Sequence, residues 1–305
     1  MAPVLPLPIP LRRGDRVRLV AASSALENGE ALQAGLDLLR SWGLSIDGDP
    51  LLLLQRRWGY LAGRDRERLA DLLPAADPSR ESPPLLACVR GGWGAARLLE
   101  ERPVAEPGWL LGFSDVTSLL FDRVAQGQGG GVHGPLLTTL AAEPEWSRER
   151  LRALLFGDAV PPLHGQSWQG GRAVGPLLVA NLTVATHLLG TPHLPPLAGA
   201  ILVLEDVGEA PYRIERMLTH WRLCGALQQL GGLAFGGFSG CEDDSDERPA
   251  ERRFSLEQVL RERSDDLGIP VVGGLPVGHI AGNAALPLGV RACLDGDRAE
   301  LSLLD

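Results

Sequence analysis

The feature that most constrains the fold of this 305-residue chain is the alternation of short apolar runs with amphipathic runs in its first half. Residues 17–22, 84–89 and 109–113 are apolar and of strand length. Turn residues and then helical spacing come after them, as in residues 28–42, which stop at Gly43. Because strands that alternate with helices build parallel sheets, the pattern predicts an α/β fold with helices on both faces of a parallel sheet.

The second half of the chain shows the same order of patterns after a looser stretch. From residue 143 to 171 the spacing loses its regularity, and prolines and glycines accumulate. We therefore predict an N-terminal α/β domain over residues 1–150, a linker over 151–172 and a C-terminal α/β domain over 173–305. The elements predicted in the C-terminal part are helices over 181–189, 211–223 and 256–263, and strands over 200–204 and 233–238.

Charge and composition narrow the function classes. The net charge is −9 and the pI is about 5.2, which argues against the basic face of a general nucleic-acid-binding protein. The chain has no lysine, which excludes mechanisms that use a serine–lysine pair or a lysine Schiff base. No apolar run is long enough to span a bilayer. We therefore predict neither a nucleic-acid partner nor a membrane partner.

The cysteines predict a reducing, cytoplasm-like compartment, because none of the four forms a CxxC pair. They are Cys88, Cys224, Cys241 and Cys293. The N-terminal segment carries its charges after its apolar part, which is the reverse of a signal peptide. Clustered metal ligands are missing from the sequence, and the acidic loop 242–253 lacks EF-hand spacing and is interpreted as a solvated loop. We predict no metal and no cofactor.

The candidate nucleophile is Ser114, in the segment GFSD between an apolar run and an amphipathic run. A serine at such a place is commonly an N-cap. A tight strand–turn–helix would instead lift the hydroxyl group toward the positive end of the helix, although Val116 breaks the GxSxG signature of hydrolases. A second GFS ends at Ser239 and leads into a loop, and we interpret it as a plain turn.

A nucleophilic serine needs a base and usually an orienting carboxylate. His279 and His133 are equal candidates for the base on residue chemistry alone: glycine before His279 permits a tight turn, and His133 comes closely after the Ser114 helix. Glu205 is the favoured acid. A carboxylate at the end of the apolar run 201–204 is costly unless it is paired or functional.

Two further segments have alternative interpretations that the residues leave open. The glycine-rich segment 90–94 (RGGWG) fits neither the Walker pattern nor a complete GxGxxG, so it is either an oxyanion-binding turn or a simple tight turn. Arg213 and Arg216 suit a substrate carboxylate, but pairing with Glu209 or Glu215 on the same helix is equally compatible with their spacing.

In chain order, seven segments resemble the LD-carboxypeptidases, a serine peptidase family that includes muramoyltetrapeptide carboxypeptidase. The segments are GDRVRLVAASS, YLAGRDRERLADL, VRGGWGAARLL, GFSD, NLTVATHLLGTP, LEDVGEAPYRIERML and GLPVGHIAGNAALPLG. They span nearly the whole chain. The resemblance implies an N-terminal flavodoxin-like or glutamine-amidotransferase-like parallel-sheet domain, a smaller C-terminal α/β domain, a site between the two, and a homodimer.

The resemblance also implies the catalytic residues. Matched motif by motif, Ser114 is the nucleophile, Glu205 the orienting acid and His279 the base. This matching favours His279 over His133 and passes over Ser239. The implied chemistry is acyl transfer through a Ser-Glu-His triad, without metal.

Around this triad we predict an oxyanion hole formed by the backbone N–H groups of Gly92 and Asp115. The residues predicted to line the substrate pocket are Gly91, Trp93, Asn181 and Arg213. The sequence departs from the family pattern at two places near this pocket. Trp93 stands where tyrosine is more common, and Val179-Ala180 precede Asn181 where two glycines are usual. Both departures bear on substrate choice more than on chemistry.

The implied substrate is a cytoplasmic murein tetrapeptide, which would be cleaved to a tripeptide and D-alanine. One alternative is a microcin-immunity-type carboxypeptidase that cleaves a peptidyl or aminoacyl nucleotide with the same triad. A second is a non-catalytic ligand-binding protein of the same fold. An α/β-hydrolase is disfavoured, because its HGG-type oxyanion segment should precede the serine, whereas His133-Gly134 comes after Ser114.

Overall fold

The computed structural model describes residues 2–73, 84–104, 107–242 and 254–304, which form two β-sheets with helices packed against them. The strands are β1 (Arg16–Val20), β2 (Ser45–Asp47), β3 (Leu85–Cys88), β4 (Trp109–Gly112), β5 (Gly131–His133), β6 (Leu163–His164), β7 (Gln166–Gln169), β8 (Arg172–Asn181), β9 (Ile201–Val207), β10 (Gly232–Ser239), β11 (Val271–Gly273), β12 (Leu286–Pro287), β13 (Arg291–Asp295) and β14 (Glu300–Leu303). The α-helices are α1 (Gly29–Ser41), α2 (Pro50–Gln55), α3 (Asp65–Leu72), α4 (Thr117–Ala125), α5 (Leu137–Leu140), α6 (Glu145–Phe156), α7 (Leu182–Leu188), α8 (Pro211–Leu223) and α9 (Leu256–Glu262). Short 3₁₀ helices cover Ala95–Glu101, Ser114–Val116 and Leu227–Gln229.

The first sheet has the parallel strand order β2-β1-β3-β4-β5, with β12 antiparallel beside β5. This is the flavodoxin-like order, which reverses between β1 and β3. Alternate residues of β3 enter separate apolar clusters, Leu86 and Cys88 in one, Leu85 and Ala87 in the other. Such burial on both faces is typical of parallel sheets, and the predicted α/β fold is confirmed.

The second sheet has the order β6-β14-β13-β8-β9-β10-β11-β7. Its central strands β8, β9, β10 and β11 are parallel, and α7, α8 and α9 connect them in turn. Since the carboxyl ends of parallel strands share one edge, this sheet brings Asn181, Glu205 and Ser239 to the same side. Each lies at or near the end of its own strand.

After β11 the chain leaves the second sheet and returns to the first. Strand β12 pairs antiparallel with β5 of the first sheet, with Leu286 opposite His133. The segment between β11 and β12, which contains His279, therefore runs from one sheet to the other. The residue limits of the two domains stay a prediction.

Two segments differ in detail from the sequence expectations, and most of a third lies outside the described residues. Residues 151–172, expected to be a linker, contain the second half of α6 and strands β6 and β7, which occupy the two edges of the second sheet. The α6 pattern is hard to recognise because its buried face includes Ser147 and Arg150 beside leucines. The helix expected from Ala95 is a 3₁₀ helix. Within the acidic loop 242–253, residues 243–253 lie outside the described residues.

The helices in the described ranges are short, and the longest have 13 residues. None of these helices is both long and apolar enough to cross a bilayer.

Candidate active site

Ser114 lies in a strained turn between β4 and α4. Its φ is +63°, in the left-handed region that residues other than glycine seldom adopt, and such strain is often found at functional sites. A Cβ placed on Gly112 would lie 2.8 Å from Cγ1 of Val116, so the turn is tight enough to need glycine there. The Ser114 hydroxyl does not cap the helix, because Phe113 is the N-cap residue and no side-chain cap bond is present. The hydroxyl points instead to His279.

A chain of short contacts joins Ser114, His279 and Glu205. The His279 Nε2 atom lies 3.1 Å from the Ser114 Oγ atom, and His279 Nδ1 lies 2.6 Å from Glu205 Oε2. The backbone N–H of His279 also donates to Glu205 Oε2, at 3.3 Å. The Nδ1 contact fixes the ring so that Nδ1 carries a proton and the neutral form has a free lone pair on Nε2, facing the hydroxyl. This arrangement suits a base that removes the serine proton.

Glu205 is fully buried, and its environment resists ionisation. Burial raises the pKa of the Glu205 carboxyl, while the hydrogen bond and positive charge available from His279 oppose that rise. Its Oε1 atom has no hydrogen-bond partner among the described residues. The hydrogen bonds that the described residues give this carboxylate come from His279, through its ring Nδ1 and its backbone N–H, and both reach Oε2.

The imidazole of His279 is held by contacts on several sides. The ring of Phe113 lies 4.7 Å from it, centroid to centroid. A Cβ on Gly278 would lie 2.6 Å from Glu205 Oε2, so only glycine lets the chain pass this close to the carboxylate. The Ser239 hydroxyl donates a 2.5 Å hydrogen bond to the carbonyl oxygen of His279. Ser239, interpreted from the sequence as a plain turn, thus holds the backbone of the same histidine.

The glycine-rich segment after β3 passes directly beside Ser114. A Cβ on Gly91 would lie 3.3 Å from the Ser114 Oγ atom. Gly92 has φ +108°, and a side chain there would collide with Ser24. The N–H groups of Gly92 and Asp115 donate to no other group in the described part of the chain. Two backbone donors near the nucleophile are therefore available to a developing negative charge.

The Asp115 side chain has a role that the sequence did not reveal. Its carboxylate is buried and accepts the Ala95 N–H at 2.8 Å, which joins the Ser114 turn to the end of the glycine-rich segment. Burial raises the pKa of Asp115, and the backbone hydrogen bonds from Ala95 and Gly94 oppose that rise. Ser24 supports the same segment, because its hydroxyl accepts the Trp93 N–H at 3.1 Å.

His133, the other candidate base, lies behind Phe113 and not at Ser114. It is fully buried, its ring centroid is 5.5 Å from that of Phe113, and its two ring nitrogens have no partners among the described residues. Burial lowers the pKa of His133 to about 3, so the ring is neutral. The geometry therefore separates the two candidates that the residue chemistry had left equal.

The structure gives the predicted pocket residues different surroundings. Trp93 is half-exposed, with Tyr60 at 6.4 Å between ring centroids. Asn181 is buried and forms hydrogen bonds to Asp206 and to the Val184 N–H, as the N-cap of α7. The role of both side chains toward a substrate stays a prediction.

Arg213 lies on the exposed side of α8. It forms an ion pair with Glu209 at 3.3 Å and a hydrogen bond with the Tyr212 hydroxyl, and exposure to solvent leaves these contacts weak. It borders a groove of about 680 Å³ between α7 and α8, which Arg216 also lines. Within the described residues, no group of three or more His, Cys, Asp and Glu side chains is arranged to hold a metal ion.

Two family models match the chain. Residues 17–134 match the LD-carboxypeptidase N-terminal domain, and residues 174–294 match the LD-carboxypeptidase C-terminal domain. A provisionally named carboxypeptidase of Synechocystis sp. is 48% identical over 305 residues, which cover 97% of each chain. The murein tetrapeptide carboxypeptidase of Pseudomonas aeruginosa is 36% identical over 306 residues, which cover 93% of this chain and 94% of that protein.

Solved structures show the same fold. The muramoyltetrapeptide carboxypeptidase of Oxalobacter formigenes superposes with a TM-score of 0.80 at 25% identity, covering 94% of this chain and 97% of that one. The microcin C7 self-immunity protein bound to aspartyl sulfamoyl adenosine superposes with a TM-score of 0.81 at 20% identity, covering 98% of each chain. The second match concerns the fold alone.

Proposed function

The chain belongs to the LD-carboxypeptidase family, and from this premise we propose that it is a serine-type peptidase that releases the terminal D-alanine from a murein tetrapeptide. The observation that carries the proposal is the contact chain from Ser114 through His279 to Glu205, with distances of 3.1 Å and 2.6 Å. The substrate is proposed because the related proteins from P. aeruginosa and O. formigenes carry that activity in their names.

The proposed reaction begins with proton transfer from the Ser114 hydroxyl to Nε2 of His279 as Oγ attacks the scissile carbonyl carbon. Glu205 stabilises the resulting imidazolium through Nδ1–H and remains ionised. The N–H groups of Gly92 and Asp115 stabilise the oxyanion of the tetrahedral intermediate. His279 then gives its proton to the leaving nitrogen of D-alanine, and water, activated by the same ring, hydrolyses the acyl-enzyme to the tripeptide.

The proposal extends to the setting of the enzyme. It would work in the cytoplasm on peptides recovered from peptidoglycan, as a homodimer and without a metal ion or cofactor. The nucleophile comes from the N-terminal domain, and Glu205 and His279 come from the C-terminal part of the chain. Analytical ultracentrifugation tests the dimer: a single species at the mass of one chain, at micromolar protein concentration, would contradict it.

The central test is the replacement of Ser114 by alanine. We expect Ser114→Ala to lose D-alanine release by about 10⁴-fold or more, because removal of the nucleophile leaves only binding and oxyanion stabilisation. Ser41→Ala is the control for loss of a serine hydroxyl, since the Ser41 hydroxyl lies at the exposed end of α1 and donates to the Leu38 carbonyl, outside the contact chain of Ser114, His279 and Glu205. A fluorophosphonate probe should label the wild type and the control but not Ser114→Ala. Full activity of Ser114→Ala would exclude the assignment.

The fold shared with the microcin C7 self-immunity protein supports a second candidate function. In that case the same triad would cleave an aminoacyl or peptidyl nucleotide. The two functions are separated by substrate: release of D-alanine from the tetrapeptide supports the first, and cleavage of an aminoacyl sulfamoyl adenosine with no action on the tetrapeptide supports the second. If fluorophosphonate labels no serine and neither substrate is cleaved, the chain is a non-catalytic binding protein.

A further inference from the structure

His279 lies on a loop that closes on itself. The Gly278 N–H donates to the Asn283 side-chain oxygen at 2.8 Å, and the Ala284 N–H donates to the Pro276 carbonyl at 2.8 Å. These two bonds tie the start of the loop to its end. His279 lies between these two joined ends.

The end of this loop rests on the segment that starts α6. One oxygen of the Glu143 carboxylate, Oε2, accepts the N–H groups of Gly282 at 2.7 Å and of Asn283 at 3.1 Å. The Ser147 hydroxyl donates to the Asn283 carbonyl at 2.7 Å. Gly282 has φ +91°, and a Cβ there would collide with the Trp146 ring, so the loop lies flat on this side chain.

After Asn283, the chain continues from the His279 loop to β12 in the first sheet, and α6 also contacts this part. The Arg150 guanidinium, also on α6, donates to the Ala285 carbonyl at 3.0 Å. Pairing of β12 with β5 begins one residue later. The His279 loop is thus fixed on the side of the first sheet, where Ser114 also lies, although it leaves from the second sheet.

Glu143 is the charged member of these contacts. A carboxylate that accepts two backbone N–H groups forms charge-assisted hydrogen bonds, which are stronger than those between neutral groups. Burial raises the pKa of Glu143, and the two hydrogen bonds from Gly282 and Asn283 oppose that rise. Without this acceptor, two N–H groups at the end of the loop would lose their partners.

We propose that Glu143 is a positioning residue for His279: its carboxylate, hydrogen-bonded to Gly282 and Asn283, sets the distance from the imidazole to Ser114 and Glu205. This inference rests on the proposed function, in which His279 is the general base. Catalytic groups must keep their geometry closely, and a misplacement of about 1 Å can cost a factor of about 100 in rate. Glu143 does not touch the reacting atoms and acts only through the loop.

The test compares Glu143→Ala with Glu143→Gln. Alanine removes the acceptor, whereas glutamine keeps a carbonyl oxygen at the same reach. We expect Glu143→Ala to lower kcat by about 10- to 100-fold with KM within about twofold of the wild type, and Glu143→Gln to recover most of that loss. Glu149→Ala is the matched control, because Glu149 is an exposed carboxylate on α6 that pairs only with Arg152, at 3.5 Å, within the described residues.

A second measurement is independent of catalysis. The short Nδ1–H···Oε2 contact between His279 and Glu205 should give a strongly downfield proton resonance in the NMR spectrum of the wild type. We expect this resonance to broaden or disappear in Glu143→Ala and to persist in Glu143→Gln and Glu149→Ala. Glu143→Asp keeps the charge but shortens the side chain, and it should be intermediate in both measurements. It replaces Glu143→Ala in the comparison if the alanine variant does not fold.

The outcomes separate the two proposals. If Glu143→Ala folds, keeps the resonance and retains wild-type kcat, the positioning role is wrong. An equal loss in the alanine and glutamine variants would also contradict it, since the acceptor oxygen would not be what matters. If the wild type itself releases no D-alanine, the proposed function fails, while the resonance still shows whether Glu143 sets the position of His279.

Discussion

The two Gly-Phe-Ser tripeptides of this chain end parallel strands in different sheets, and both meet His279. The first ends β4 and leads into a 3₁₀ turn and α4, and its Ser114 Oγ lies 3.1 Å from the imidazole Nε2. The second ends β10, and its Ser239 hydroxyl donates to the His279 carbonyl oxygen at 2.5 Å. One serine therefore contacts the side chain of the histidine, and the other contacts its backbone.

The glycines of the two tripeptides leave room for different neighbouring side chains. The space above Gly112 is taken by Val116, four residues along the same turn. The space above Gly237 is taken by Ile280, whose Cγ2 would lie 2.5 Å from a Cβ there, and the Gly237 N–H donates to the Val277 carbonyl at 2.8 Å. The first tripeptide thus forms a local turn. The second packs against the His279 loop, which lies about 40 residues later in the chain. The same three residue types acquire different roles because a helix comes after the first and a loop comes after the second.

After the loss expected for Ser114→Ala, the largest expected effect concerns Glu205, whose carboxylate contacts the imidazole of the histidine that both serines meet. We expect Glu205→Gln to lower kcat for D-alanine release by about 10³- to 10⁴-fold, because a neutral amide neither stabilises the imidazolium nor enforces its tautomer. Glu149→Gln is the matched control for the change from carboxylate to amide. Wild-type activity of Glu205→Gln would show that His279 works without the acid and would remove Glu205 from the triad.

The same variant should not lose stability. Burial raises the pKa of Glu205 in the folded state, so ionisation of the carboxyl group costs folding free energy at pH values above its pKa in the unfolded chain. Glutamine does not titrate and avoids this cost. We expect Glu205→Gln to melt at or above the wild-type temperature at pH 8, and a clear decrease would mean that the carboxylate stabilises the fold. A large loss of activity without a loss of stability is the signature expected of a functional carboxylate.

The region around the two tripeptides also shows how far a single sequence predicts a structure. The apolar runs of β3 and β4 and the periodicity of α1 and α8 are local signals, and these elements occur where they were predicted, within one or two residues. Ser114 was a fair candidate because its strand and helix adjoin it. The resemblance, not local chemistry, favoured His279 over His133, and the burial of His133 behind Phe113 gives the physical reason.

Local sequence patterns do not predict the long-range contacts of the site. Neither the strand nor the turn around Ser239 indicates that a loop from residue 279 will pack there, since that depends on how β11 connects to β12. The strain at Ser114 was likewise hidden, because the usual sign, a glycine two residues later, is replaced by Val116. Helix α6 was not predicted, because a buried serine and a buried arginine, Ser147 and Arg150, interrupt its apolar face.

The next effect concerns His133, which lies behind the first tripeptide. Burial holds the pKa of His133 at about 3, against an ordinary value of 6.5, so acidification protonates the unfolded chain first. At pH 5 this difference costs about 2 kcal/mol of unfolding free energy, at about 1.36 kcal/mol per pH unit below the unfolded value. We expect the change in unfolding free energy between pH 8 and pH 5, measured by urea titration, to be less destabilising in His133→Leu than in the wild type by about this amount.

His164→Leu is the control for that measurement, since His164 is an exposed histidine on β6. The control should keep the pH dependence of the wild type. Equal slopes for His133→Leu and the wild type would show that the buried ring takes up a proton in the folded state, and the first tripeptide would then have a charged group behind it.

The smallest effect tests the second tripeptide directly. Ser239→Ala removes one hydrogen bond to the His279 carbonyl, which is worth about 1 kcal/mol, so we expect kcat to fall about five- to tenfold with KM unchanged. Labelling by a fluorophosphonate should be slower but complete, because Ser114 is still present. Ser41→Ala, which also removes a hydroxyl bonded to a backbone carbonyl, should behave as the wild type. A loss as deep as that of Ser114→Ala, together with loss of labelling, would make the two serines equivalent and overturn the distinction between side-chain and backbone contact.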